Sequence, residues 1–89
     1  MQERRVTIVN KLGLHARAAS KFVNLAKRYA SKIEIVNPPK TVDGKSIMSI
    51  MLLAASQGTE IDLRIQGEDE LDAMQAITAL IADRFGEGE

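Results

Sequence analysis

The chain has 89 residues with no cysteine and one histidine, and its 12 acidic and 12 basic residues give a formal net charge of zero. This length suffices for one domain but not for two, so we expect a single domain over residues 1–89. The missing cysteines exclude disulfides and thiolate metal sites, and one histidine alone supplies no cluster of ligands, so we expect no metal. We also expect no cofactor. Zero net charge with only three aromatic residues argues against a nucleic-acid binder.

The N-terminal segment, residues 1–6, leads into a strand-like pattern and lacks the long apolar core of a signal peptide. No stretch approaches the length of a membrane span. We therefore expect a cytoplasmic protein that does not enter a membrane.

The first half of the chain predicts a strand, a helix and a hairpin. β-branched residues in Arg4–Asn10 predict the first strand, and Asn10–Gly13 forms the turn after it. A helix is expected from about Ala16 to Tyr29 or Ala30, because apolar residues recur there at helical spacing. Ile33–Asn37 is a second strand that Pro38-Pro39 stops, and Lys40–Val42 is a short third strand paired with it.

The next segment predicts a short helix that begins at Lys45-Ser46 and is ended by Gln57-Gly58. One face of this helix carries four apolar residues, namely Ile47, Ile50, Met51 and Ala54. Met48 and Leu52 fall on another side. A helix that is apolar on both sides is either wholly buried or partly an interaction surface.

The last segment predicts a strand and a third helix. Thr59–Gln66 alternates polar and apolar residues, as in a strand with one buried and one solvated face. The following helix has an apolar stripe and is expected to end at Gly86, with a frayed tail at 87–89. The stripe comprises Leu71, Met74, Ile77, Ile81 and Phe85. The order βαββαβα predicts an α+β fold, an open-faced β-sandwich with all helices on one face of a mainly antiparallel sheet.

The single histidine, His15, falls where a loop gives way to the first helix. The free N–H groups and the positive dipole end of such a helix attract phosphate. A neutral imidazole there can accept a phosphoryl group covalently, and the guanidinium of Arg17 suits phosphate oxygens. The same spacing also fits a histidine that only caps the helix or lies at the surface.

Two motifs resemble the phosphocarrier protein HPr family, whose members are histidine-phosphorylated carriers of the bacterial phosphoenolpyruvate-dependent phosphotransferase system. The first is Gly13-Leu14-His15-Ala16-Arg17, followed by Ala19, Lys21, Phe22 and Val23. The second is Gly44-Lys45-Ser46-Ile47-Met48-Ser49-Ile50-Met51, which is similar to the segment around the family's regulatory serine. One departure is Ala18, where the family usually has proline.

The resemblance implies a strand order of 1-4-2-3 and a phosphocarrier that is not itself an enzyme. His15 would accept a phosphoryl group at Nδ1 from phospho-enzyme I and pass it to EIIA-type proteins. Arg17 and the amides of Ala16 and Arg17 would steady the group. Ser46 is first of all predicted to be a helix N-cap, and the resemblance adds phosphorylation by the dedicated HPr kinase.

We further expect a monomer that docks its partners beside His15. The docking residues expected are Ser20, Asn24, Lys27, Ile47, Met48 and Met51. Three carriers share these residues: a sugar-uptake carrier, a nitrogen-type carrier that only regulates, and a carrier that serves both. A module that binds an anion without covalent transfer is a further alternative.

Overall fold

The computed structural model describes residues 1–89 as four strands, three α-helices and a terminal 3₁₀ turn. The bounds are β1 Gln2–Thr7, α1 Ala16–Ala26, β2 Lys32–Asn37, β3 Lys40–Asp43, α2 Ile47–Leu52, β4 Glu60–Gln66, α3 Glu70–Ala82 and the 3₁₀ turn Arg84–Gly86. The predicted element order is therefore confirmed. No helix combines the length and the apolarity needed to cross a bilayer.

The four strands form one antiparallel sheet in the order β1-β4-β2-β3, as the resemblance implied. The alternation predicted for β4 is present, because Ile61, Leu63 and Ile65 are buried while the residues between them are partly or fully exposed. The buried side of the sheet packs against the helices. Its other side carries ion pairs, for example between Arg5 Nε and Asp62 Oδ1 at 3.1 Å. The open-faced sandwich is thereby confirmed.

β1 lies earlier in the chain than the predicted Arg4–Asn10. Ile8 still donates a hydrogen bond to Thr59 O at 2.9 Å, but the chain then leaves the sheet. Asn10 is fully buried in the loop that follows. This loop carries the chain to α1, so its residues serve the turn and not the sheet.

α1 ends four residues before the predicted end at Ala30. The carboxylate of Asp69 accepts hydrogen bonds from the backbone N–H groups of Ala30 and Ser31 at 2.8 and 2.9 Å. The N–H groups of Arg28 and Tyr29 already donate to carbonyls three residues earlier, so the α-helical pattern is lost there, and Asp69 then holds the next two amides outside the helix. This contact joins the segment after α1 to the start of α3.

α2 is also shorter than predicted and buries fewer of the expected residues. It ends at Leu52 because Ala54 adopts a left-handed backbone with φ 52°. Of the predicted face only Ile50 is buried, whereas Ile47, Met51 and Ala54 are exposed. The core is completed instead by Leu53 and Ala55, which follow the helix.

The end of α3 departs from the prediction in two ways. The helix stops at Ala82 and not at Gly86, because Arg84 and Phe85 both have φ 54°. This reversal returns the ring of Phe85 to the core, where it is fully buried. Leu71 was expected on the buried stripe, but it lies in the first turn of α3 with 61% of its surface exposed.

Candidate functional site

The loop before α1 fixes where His15 lies. The amide of Asn10 donates a hydrogen bond to Gly13 O at 2.8 Å, and the N–H of Leu14 donates to Ala55 O at 2.9 Å. Gly13 has φ +67°, and a Cβ at this position would lie 2.4 Å from Ala55 O. Only glycine combines that backbone with so close an approach, so the loop delivers His15 at one defined place.

His15 is the N-cap residue of α1, as predicted. Its backbone is extended, with φ −76° and ψ 179°, and its carbonyl accepts the first helical hydrogen bond from Ala19 at 2.8 Å. The N–H groups of Ala16, Arg17 and Ala18 donate to no protein acceptor. Three free donors and the positive dipole end of the helix therefore adjoin the imidazole.

The His15 side chain is 25% exposed and contacts the C-terminal tail. Its Nε2 lies 2.5 Å from Oε2 of Glu87, whose side chain is only 10% exposed. Arg17 reaches the same carboxylate more loosely, with Nε 3.8 Å from Oε2 and 66% of its side chain exposed. The prediction of a frayed tail at 87–89 is therefore wrong, because Glu87 contacts His15 and Glu89 O accepts a hydrogen bond from the N–H of Lys11.

Glu87 is held from its other side by Asn10, whose Nδ2 donates to Oε1 at 2.9 Å. Burial raises the pKa of Glu87, but the hydrogen bonds from Asn10 and His15 and the charges nearby outweigh it and lower the pKa below its usual value. The carboxylate is thus ionised near neutral pH. His15 and Glu87 do not belong to a cluster of three or more histidine, cysteine, aspartate or glutamate side chains, and the structure has no such cluster that could hold a metal ion.

A cleft of about 280 Å³ lies beside the site between basic residues and the tail. Lys11, Arg17 and Lys21 line it together with Glu87 and Glu89. Sequence reasoning missed Asn10 and Glu87, which are separated by 77 positions and follow no local pattern. The only sequence signal for them is the excess of basic residues around α1, which calls for an acidic partner.

Ser46 is the N-cap of α2, as the sequence analysis expected. Its Oγ accepts a hydrogen bond from Ser49 N at 3.2 Å, and the residue is partly exposed. No hydrogen bond links it to His15. The capping role is therefore confirmed by geometry, while phosphorylation stays a prediction.

The predicted docking residues lie on the surface of two helices that pack against each other. On α1 and its C-cap, Asn24 and Lys27 are exposed and Ser20 is partly buried. On α2, Ile47, Met48 and Met51 are 39, 74 and 44% exposed. Leu12, which was not among the predicted docking residues, adjoins the cleft with 60% of its surface exposed.

Known proteins resemble this chain over nearly its whole length. Residues 2–83 match the protein family described as "PTS HPr component phosphorylation site". The phosphocarrier protein HPr of Pseudomonas aeruginosa is 54% identical over 85 residues, which cover 94% of either chain. Among solved structures, HPr-C-His from Thermoanaerobacter tengcongensis has a TM-score of 0.94 and 45% identity, covering 98% of each chain. An HPr dimer from the same organism has a TM-score of 0.78 and 45% identity, covering 98% of this chain and 100% of that one.

Proposed function

The chain belongs to the HPr family of phosphocarrier proteins, and on that premise we propose that His15 is its phosphoryl acceptor within the phosphotransferase system. The observation that carries the proposal is the placement of a partly exposed imidazole at the N-cap of α1, next to three N–H groups without protein acceptors. Such a helix end stabilises a dianion. The family supplies the donor, phospho-enzyme I, and the acceptors, EIIA-type proteins.

The transfer needs little covalent work from the protein. The lone pair of Nδ1 attacks phosphorus, the N–P bond to the histidine of the donor breaks as the new N–P bond forms, and the reverse occurs at EIIA. Ala16 and Arg17 contribute amides to the phosphate oxygens. Arg17 adds its guanidinium, which is mostly exposed and contacts Glu87 only loosely through Nε, so that it can turn towards the group. The chain carries the phosphoryl group without completing a catalytic cycle, and we place this role in the cytoplasm in one HPr-like domain.

Labelling with radioactive phosphoenolpyruvate and enzyme I tests the proposal. We expect an acid-labile, base-stable label on the wild-type protein, and His15→Ala should abolish it. Arg17→Lys should slow transfer by about tenfold because an ammonium cannot match the bidentate geometry, whereas Arg28→Lys, an exposed change near the end of α1, should not. Phosphate binding without any covalent label would instead identify a non-covalent anion-binding module.

Regulation at Ser46 is a second part of the proposal. A phosphate there would remain at the N-terminus of α2 and would add nearly two negative charges beside Ile47 and Met48. Incubation with an HPr kinase and ATP, followed by phosphopeptide mapping, should find the label at Ser46 and lose it in Ser46→Ala. Ser49→Ala is the matched control, since only the backbone N–H of Ser49 takes part in the cap.

We propose that partners dock on the exposed α1 and α2 residues named above. Met48 and Met51 offer flexible apolar contacts suited to more than one partner. The sugar-type and nitrogen-type carriers share this surface and this chemistry, so the branch is decided by which EIIA protein accepts phosphate from the loaded chain. Sedimentation analysis should find the expected monomer. A dimer would instead show that the chain assembles as the HPr dimer from Thermoanaerobacter tengcongensis does.

A further inference from the structure

The phosphocarrier role does not explain why the C-terminal tail folds back onto α1. The reversal at Arg84 and Phe85 turns the chain there, and Lys21 Nζ donates a hydrogen bond to Phe85 O at 2.6 Å. Beyond it, the N–H of Lys11 donates to Glu89 O at 2.6 Å. The tail is thus fixed on both sides of Glu87.

The Glu87 carboxylate has a defined orientation between two partners. Oε1 accepts from Asn10, a fully buried residue whose amide nitrogen also donates to Gly13 O. Oε2 faces Nε2 of His15 at 2.5 Å. Because Asn10 is anchored in the loop that delivers His15, the carboxylate and the imidazole are positioned by one structure.

This contact determines which ring nitrogen carries the proton. An ionised carboxylate can only accept a hydrogen bond, so Nε2 must be the N–H donor. In the neutral ring, the lone pair is then on Nδ1, the nitrogen that faces away from this contact. Carboxylates that hold the tautomer and orientation of a reacting histidine act in the same way in hydrolytic triads and metal sites.

We propose that Glu87 is a positioning residue for phosphoryl transfer, which orients the His15 ring and holds its proton on Nε2. The proposal rests on the proposed function of His15. When Nδ1 forms its bond to phosphorus and the donor's N–P bond breaks, the ring becomes cationic while the proton stays on Nε2. Glu87 then neutralises that cation and favours the protonated ring, which is the better leaving group for onward transfer.

Transfer kinetics distinguish this role from a merely structural one. Relative to wild type, Glu87→Ala should lower the maximal rate of phosphoryl transfer from phospho-enzyme I by about 10-fold or more, the usual effect of losing such a partner. The KM for phospho-enzyme I should not change. Glu87→Gln should lie between them, because its amide oxygen can still accept the Nε2 hydrogen bond, but it carries no charge and its NH2 group then faces the donor Nδ2 of Asn10. Glu89→Gln, an exposed tail carboxylate 3.9 Å from Lys11 Nζ, should match wild type.

Nuclear magnetic resonance of the unphosphorylated protein gives a second readout. A His15 Nε2–H proton signal protected from solvent exchange should appear in the wild type, in Glu87→Gln and in Glu89→Gln. Glu87→Ala should lose this signal. The unfolding midpoint of each variant checks that it is folded. The proposal is overturned if the wild type lacks this signal, if Glu87→Ala transfers as fast as wild type, or if it transfers faster because the tail only covers the site. A wild-type protein that takes no label defeats the proposed function itself, whereas a labelled wild type with unchanged Glu87 variants defeats only this inference.

Discussion

Replacing Gly13 with alanine tests how the loop before α1 positions His15. The new Cβ would lie 2.4 Å from Ala55 O and 2.8 Å from the Cα of Ser56, while φ stays at +67°. Carbon contacts are favourable only beyond about 3.5 Å, so the loop must move by about 1 Å. The neighbouring hydrogen bond from Leu14 N to Ala55 O lies directly in the path of this movement.

Two costs add up in the Gly13→Ala variant. A left-handed backbone costs an alanine about 1–2 kcal/mol, and loss of the Leu14 hydrogen bond costs about 1 kcal/mol. The free energy of unfolding should therefore fall by about 2–3 kcal/mol, which for a domain of this size lowers the melting temperature by roughly 10–20 °C. Gly58 provides a matched control, because it has φ +88° but no atom within 4 Å of the position that a Cβ would take; Gly58→Ala should lose only the backbone part, about 1–2 kcal/mol.

Thermal and urea unfolding followed by circular dichroism measure this difference, and transfer assays measure its effect on the site. A displacement of His15 by about 1 Å should slow phosphoryl transfer by up to about 100-fold, whereas Gly58→Ala should leave the rate unchanged. Equal unfolding midpoints for the two alanine variants would refute the argument, since they would show that the close approach to Ala55 carries no energetic weight.

Three further predictions concern the helices. Ile50→Ala should lower the free energy of unfolding by about 2–4 kcal/mol, because the Ile50 side chain is fully buried. Met48→Ala on the same helix should change that free energy by less than about 0.5 kcal/mol and should instead raise the KM for enzyme I. Urea unfolding measures the first effect and transfer kinetics measure the second. The hydroxyl of Ser31 and two backbone amides hold the pKa of Asp69 below its usual value, so the contribution of this carboxylate to stability is present at neutral pH and is lost as the pH falls through that lowered pKa. Asp69→Asn should therefore unfold at a lower urea concentration than wild type near pH 7, and the difference should shrink below about pH 4. A difference that stays constant with pH would contradict this. Ala18→Pro should leave the free energy of unfolding within about 1 kcal/mol of wild type, because the N–H of Ala18 donates no hydrogen bond in the first helical turn. A loss of several kcal/mol in chemical unfolding would show that this buried position has no room for the proline ring.

Local patterns predicted most of the fold because each element carries its own periodicity. The alternation of β4 and the helical spacing of α1 were sufficient to identify both elements and their buried faces. The errors fall where a distant residue decides the outcome. α1 does not reach Ala30, because Asp69, 39 positions later, accepts the hydrogen bond of that residue, and no pattern within the helix encodes this contact.

α2 shows a different limit of pattern reasoning. Its apolar residues occur on all sides, so periodicity could not tell Ile50, which is buried, from Met48, which is 74% exposed. Only packing against the sheet and α1 makes that choice. Three of the exposed residues, Ile47, Met48 and Met51, are among those predicted to dock partners, so the failure of the amphipathic pattern coincides with a proposed functional surface.

The site was predicted only in the part that lies close together in the sequence. His15, Arg17 and the free amides of α1 follow from one motif at a helix start, but Glu87 is 72 positions from His15 and reaches it only through the turn after α3. Its presence resolves an electrostatic problem of the proposed chemistry. The loaded ring is cationic and its phosphoryl group is anionic, and the two charges need opposite surroundings. With Glu87 at Nε2, the negative carboxylate stabilises the ring, while the amides and Arg17 remain for the phosphoryl group on Nδ1. A carboxylate on the phosphate side would instead repel the phosphoryl group and leave the ring cation without a partner, so the proposed role of Glu87 depends on where the tail places it.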